Sequence, residues 1–244
     1  NNSLRPRRVR SRKGFSIVEV AIAMGVVTLL LTTFLGVFGP AQKNIQRALS
    51  TKDANRLKDA LSNEMSILRS SDTAYTSSFD KAFKMIEKSH DSTKGVLMYQ
   101  YKAIPLDDDN DGILPPFTGD DGIQGKDYII QTAVRTLGVD DDKIEAELAP
   151  KVVDGPVFVV RMSQLIKDTA NSAALTARDS SGITDPDTPG SDITDSAMFP
   201  KAVIAFRAEF FKLSANKFGF VSSDNWDFDA VGNAVTEVNM AIRR

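Results

Sequence analysis

Polar and apolar positions divide this chain into two regimes. From Phe15 to Phe38 the only charge is Glu19, and the polar interruptions are Ser16, Thr28, Thr32 and Thr33. At ~1.5 Å rise per residue such a helix is roughly 36 Å long, enough for a ~30 Å hydrocarbon core with some tilt. Threonine is tolerable there because its hydroxyl can bond back to the carbonyl one turn earlier. At Gly39-Pro40 the proline removes one backbone hydrogen bond and crowds the preceding turn, which predicts a kink rather than a stop. From Ala41 to about Arg69 the pattern is helical again, with Ile45, Leu49, Leu57, Leu61, Met65 and Leu68 among charged residues. Spacing by fours drifts around a helix of ~3.6 residues per turn, so the Ile45–Leu49 face is not the Leu61–Met65 face. Either this helix bends near Lys52-Asp53, or its first part meets other chains and its second part meets its own core.

After the helix the period shortens. Ser77-x-x-Asp80 resembles a capping box, and Phe79, Ala82, Phe83 and Ile86 follow at helical spacing before His90. Strand-like runs come next: Val96–Ile104, Tyr128–Val134, Val157–Met162, Ala202–Leu213, Phe218–Val221 and Val235–Ile242. Phe206, Phe210, Phe211, Phe218 and Phe220 are the expected core aromatics. Helix first and strands afterwards predicts an α+β fold, an antiparallel β-sheet packed on the long N-terminal helix. Residues 168–196 are rich in Ser, Thr, Asp, Gly and Pro and read as a long flexible loop. The expected organisation is 1–14 as a basic leader, 15–38 as the membrane helix, 39–69 as its amphipathic extension and 70–244 as an α+β domain.

Charge gives the first segment a direction. Residues 1–14 carry Arg5, Arg7, Arg8, Arg10, Arg12 and Lys13 and no acid. By the positive-inside rule the N-terminus stays in the cytoplasm and everything after Phe38 is exported. A cleaved signal peptide also starts basic and then turns apolar. However, the run from Val20 to Phe38 exceeds the ~7–15 residues of its apolar region, and no Ala-x-Ala-like site follows. The chain begins Asn1-Asn2 without methionine, which leaves room for residues before it.

GFSIVE, residues 14–19, resembles the N-terminal motif of type IV pilins and of type II secretion pseudopilins. That resemblance implies a pilin-like fold and a membrane-embedded prepilin peptidase that cuts between Gly14 and Phe15 and methylates the new amine on Phe15. It also implies assembly with other pilin or pseudopilin subunits from the bacterial inner membrane, the C-terminal domain lying in the periplasm or in a filament. The physical argument agrees with it. A lone carboxylate in a membrane costs on the order of a few kcal/mol. In the family, the glutamate of one subunit pairs with the N-terminal amine of a neighbour, so the cost becomes a force for assembly. Glu19 occupies that position. Gly14 suits the cut because a residue without a side chain lets a protease approach the backbone. The stretch VEVAIAMGVVTLLLTTFLGVFGPAQKNIQRA further resembles pilin-like proteins of verrucomicrobial gene cassettes (the Verru_Chthon type), through its apolar helix and proline-containing exit.

Composition narrows the remainder. Without residues 1–14 the chain holds 24 Lys and Arg against 32 Asp and Glu, a net charge of −8. That argues against nucleic acid as a dedicated ligand, since phosphate binding needs a basic surface. There is no cysteine, so no disulfide braces the domain, as one does in many major pilins.

Asp107-Asp108-Asp109-Asn110-Asp111-Gly112 matches the first half of a calcium loop, in which alternate carboxylates converge on the ion and glycine allows the turn. An EF-hand would place glutamate where Thr118 stands, and Pro115-Pro116 opposes an exit helix. Asp120 and Asp121 lie close enough to supply the missing oxygens. The site is therefore either calcium held by Asp107, Asp109, Asp111, Asp120 and Asp121, or a solvated acidic turn, because Asp, Asn and Gly also dominate turns.

Catalytic chemistry has little support. His90 is the only histidine, and it stands at the expected end of a helix, where exposed carbonyls would engage it. No P-loop or G-x-G-x-x-G occurs. Asp140-Asp141-Asp142 and Asp185-x-Asp187 read as solvated turns, and Trp226 as a core or loop-packing residue. The expectation is a non-enzymatic filament subunit. The alternative is an uncleaved, single-pass, membrane-anchored periplasmic module that binds a ligand or performs hydrolysis.

Overall fold

The structure, a computed structural model, describes residues 16–70, 72–106, 112–168, 174–178, 180–188, 190–222 and 226–244, with backbone alone for 37 and 39–55. It divides into two units, Asn1–Leu49 and Ser50–Arg244.

Helix α1, Ile17–Ser66, begins in the first unit and is helical through Gly39-Pro40 without a break. In the second unit its last turns bury Leu57, Leu61 and Met65, so the Leu61–Met65 face meets the chain's own core. The helix stops before Leu68, which is exposed rather than part of that face.

Helix α2, Ser78–Lys88, starts where the capping box predicts: Ser77 Oγ accepts the Asp80 amide at 3.1 Å. Asp80 Oδ2 accepts in return from the Thr76 amide at 3.1 Å, one residue earlier than in a strict box. Its apolar face buries Phe79, Ala82, Phe83, Met85 and Ile86.

Six strands form one antiparallel sheet: β1 Val96–Ala103, β2 Ile129–Thr136, β3 Val153–Lys167, β4 Leu175–Ala177, β5 Val203–Lys212 and β6 Thr236–Arg243. The order is β2-β1-β3-β5-β6, with β4 paired to the end of β3. Alternation puts Val96, Met98, Phe158, Val160, Phe206 and Phe210 on one face, under α1 and α2. Leu97, Tyr99, Tyr101, Val157, Val159 and Phe211 occupy the other, in a second core covered by Ile144, Leu148, Val221, Trp226 and Phe228. Both faces of the central sheet are therefore buried, and the fold is α+β with helices on both sides.

Several expectations need correction. Phe218–Val221 is a single-turn helix, α4, not a strand. Asp140-Asp141-Asp142 is not a solvated turn but the start of α3, Asp141–Glu147, whose Ile144 enters the second core. A further short helix, α5 (Phe228–Val231), is capped by Asp227, whose Oδ1 accepts from the Ala230 amide. The segment 168–196, expected as a loop, holds β4, an Ile183–Ile193 bridge and a fully buried Ile183. Its Thr184 exchanges two hydrogen bonds with the buried Gln164 side chain, at 2.7 and 2.8 Å.

Candidate functional site

The first candidate is the start of α1. Ser16 stands immediately before the helix, and its Oγ accepts from the Val18 amide at 3.3 Å. Glu19 Oε2 accepts from the Ser16 amide at 3.4 Å. Ser16-x-x-Glu19 is thus a capping box: each side chain satisfies a backbone donor that the first helical turn leaves orphaned. Glu19 also adds negative charge where the helix dipole is positive. The S-x-x-E spacing that makes this cap is local in the sequence, where the same glutamate also reads as a charge inside an apolar run.

From Ile17 to Gly36 the helix is apolar and long enough to cross a membrane, and none of it is buried by the chain itself. Thr28, Thr32 and Thr33 donate to the carbonyls of Met24, Thr28 and Leu29, each at 2.8 Å, so no hydroxyl is left unpaired in this stretch. Phe34 and Phe38 stack one turn apart with centroids 4.4 Å apart. Gly14 and Phe15, the expected cleavage pair, lie outside the described residues. One membrane-length helix with a capped start is what this segment offers. Comparison with protein-family models, with curated proteins and with solved structures found no match.

The acidic loop is the second candidate. Asp107, Asp109 and Asp111 lie outside the described residues. Asp120 and Asp121 are exposed, and Asp120 is ion-paired with Lys151, a cation that competes for the oxygen a calcium ion would need. Among the described residues no group of three or more acidic or histidine side chains is arranged to hold a metal.

The histidine is the third. His90 Nε2 lies 3.0 Å from Ser163 Oγ on β3. It therefore engages β3 rather than the carbonyls at the end of α2. Burial, with the Arg161 charge, pushes its pKa below the usual imidazole value. Ser163 is itself buried, and among the described residues no carboxylate hydrogen-bonds to the ring, so the pair lacks the third member of a nucleophilic triad there. Trp226 is buried, as expected, its Nε1 donating to the Val221 carbonyl at 2.9 Å.

Two buried ionic clusters were missed, because their members come together only in the fold. Lys81 joins Glu64 and Asp72 between α1 and α2. On the opposite face Glu147 accepts from Arg135 Nη2 at 2.5 Å and from Tyr99 Oη at 2.7 Å. Burial, reinforced by the Glu147 charge, pushes the Tyr99 phenol far up, while the same carboxylate raises the Arg135 pKa against the cost of its burial. The first ties α2 to the end of α1, and the second ties α3 to the sheet. An open cleft of about 420 Å³ lies beside the first, lined by Asp72, Tyr75, Asp140, Asp141, Asp142 and Lys143.

Proposed function

We propose that this chain is a pilin-like or pseudopilin subunit. Prepilin peptidase cuts it between Gly14 and Phe15, methylates Phe15, and leaves α1 to assemble into a type IV pilus or type II secretion pseudopilus. The N-terminus starts in the cytoplasm, the apolar part of α1 crosses the inner membrane, and residues beyond it lie in the periplasm. The role is structural, with other subunits as partners.

The observation that carries this reading is the position of Glu19. It is the only charge in an apolar stretch otherwise fit for lipid, and it sits at the third helical position, the fifth residue after the expected cut between Gly14 and Phe15. The capping box supports the reading further. Removal of residues 1–14 makes Ser16 the second residue, so its nitrogen remains an amide and the cap survives the cut. Glu19 Oε2 is held by that amide, and its second oxygen can accept a neighbour's amine. A cap alone would not require GFSIVE or six bases before it. The test is the chemistry of the mature N-terminus.

A further inference from the structure

The sheet ends on β6, and among the described residues no strand pairs with its outer edge. The phase of the ladder says which groups lie on that edge. The Arg244 amide donates to the Ala202 carbonyl at 2.8 Å, in register with Val203–Arg243 pairing. Even-numbered residues of β6 therefore bond to β5, while Glu237, Asn239, Ala241 and Arg243 direct their N–H and C=O groups outward.

Sheet edges are ordinarily blunted by proline, bulges or charges along the strand. β6 pairs with β5 over 8 residues without a register shift and contains neither proline nor glycine. Its charges stand only near its ends, Glu237 and Arg243, with Val238-Asn239-Met240-Ala241-Ile242 between them. The opposite edge differs. At the end of β2 the Thr136 amide donates to Asp140 Oδ2, and its carbonyl accepts from Val139 and Asp140, so the chain folds over that corner.

We propose that β6 pairs antiparallel with β6 of a second copy of this chain, about a two-fold axis through Met240. In this register Glu237 faces Arg243 of the other copy, Asn239 faces Ala241 and Val238 faces Ile242. Every outward-facing N–H and C=O of Glu237, Asn239, Ala241 and Arg243 then gains a partner. The charges are available for it. Glu237 has only Arg207 within reach, at 3.9 Å, and no carboxylate lies within ion-pair distance of Arg243 among the described residues. A shift by two residues in either direction separates Glu237 from Arg243, so charge selects this register. The contact is a single strand pair, small by the standard of permanent dimers. It requires neither cleavage nor filament assembly.

Disulfide trapping tests it in the full chain, in detergent or in membranes, because the native sequence contributes no thiol. Facing residues of a hydrogen-bonded antiparallel pair have Cα atoms ~5.5 Å apart, within the range a disulfide spans. The double variant Asn239→Cys/Ala241→Cys is expected to form a covalent dimer on mild oxidation, while each single variant stays predominantly monomeric. Adding Glu237→Arg to the double variant should cut the trapped fraction about tenfold by placing arginines opposite each other, and adding Arg243→Glu should restore it. Circular dichroism checks that each variant retains the sheet. No covalent dimer from the double variant, trapping of Asn239→Cys alone to the same extent, or indifference to charge reversal would each overturn the proposal.

Discussion

Lys81 Nζ on α2 lies 2.6 Å from Glu64 Oε1 near the end of α1. The same ammonium reaches Asp72 Oδ2 at 2.7 Å and the Ile67 carbonyl at 3.3 Å, while Arg69 Nη1 donates a second bond to Glu64. Burial pushes the Glu64 carboxyl up, but Arg69 and Lys81 outweigh it and leave it below its ordinary value. Asp72 is also raised by burial and lowered more strongly by its bonds to Lys81 and the Arg69 amide. Lys81→Met should destabilise the fold by about 1–3 kcal/mol, because it leaves Glu64 with Arg69 alone and takes the ammonium from the half-buried Asp72. Equilibrium urea unfolding measures it. Both carboxyls bind protons more readily unfolded than folded, so their contribution is complete above their ordinary values of 4.5 and 3.8 and is lost below those values, as pH falls to the lower pKa of each folded carboxyl. In Lys81→Met this acid-side slope should shrink.

His90 predicts a second, separate pH dependence. Burial lowers its folded pKa below the ordinary 6.5, so the unfolded chain takes up a proton that the folded chain resists. Stability is therefore full above about 6.5 and declines as pH falls below it. His90→Asn should remove this decline while leaving the carboxylate slope in place, and unfolding midpoints at a series of pH values distinguish the two.

On the other face of the sheet, Glu147→Ala should cost about 3–5 kcal/mol. It leaves the buried Arg135 guanidinium uncompensated and the Tyr99 hydroxyl without its acceptor. Glu147→Ala with Arg135→Met should recover much of that loss, since removing both charges also removes the cost of desolvating them. Thermal unfolding of the single and double variants checks the pairing.

The strand runs legible in the sequence are those with local apolar alternation. Val96–Ile104 and Ala202–Leu213 match β1 and β5 within one residue at each end. β3 extends well beyond Val157–Met162 because its flanks carry residues that disguise a strand. Gly155 adopts φ of 80°, Pro156 follows it, and Gln164 is tolerated in the interior only because Thr184 satisfies its amide. Phe218–Val221 is a short apolar run, the type for which helix and strand cannot be told apart by period. α3 carried a missed signal: an acidic first turn followed by Ile144 and Leu148 four residues apart. The second core and the Lys81 and Glu147 clusters depend on residues far apart in the chain, which no local pattern reveals. At the N-terminus the Ser16–Glu19 spacing is a capping signal, and the same glutamate is also the one charge of the apolar run.

The start of α1 separates capping from assembly. Ser16→Ala should weaken the first helical turn by about 1 kcal/mol and leave filament incorporation largely intact. Glu19→Ala should leave processing largely intact and abolish incorporation, because it removes the charge that a neighbour's amine requires. Incorporation into sheared filaments, beside processing in whole cells, gives both readouts. Equal defects in the two variants would mean that Glu19 serves only the helix start.

The most direct measurement is the intact mass and N-terminal fragmentation of the chain recovered from cells that contain prepilin peptidase. The account predicts a mature chain beginning at Phe15 with a methylated amine. A chain that keeps residues before Phe15, or that begins elsewhere without methylation, would contradict it.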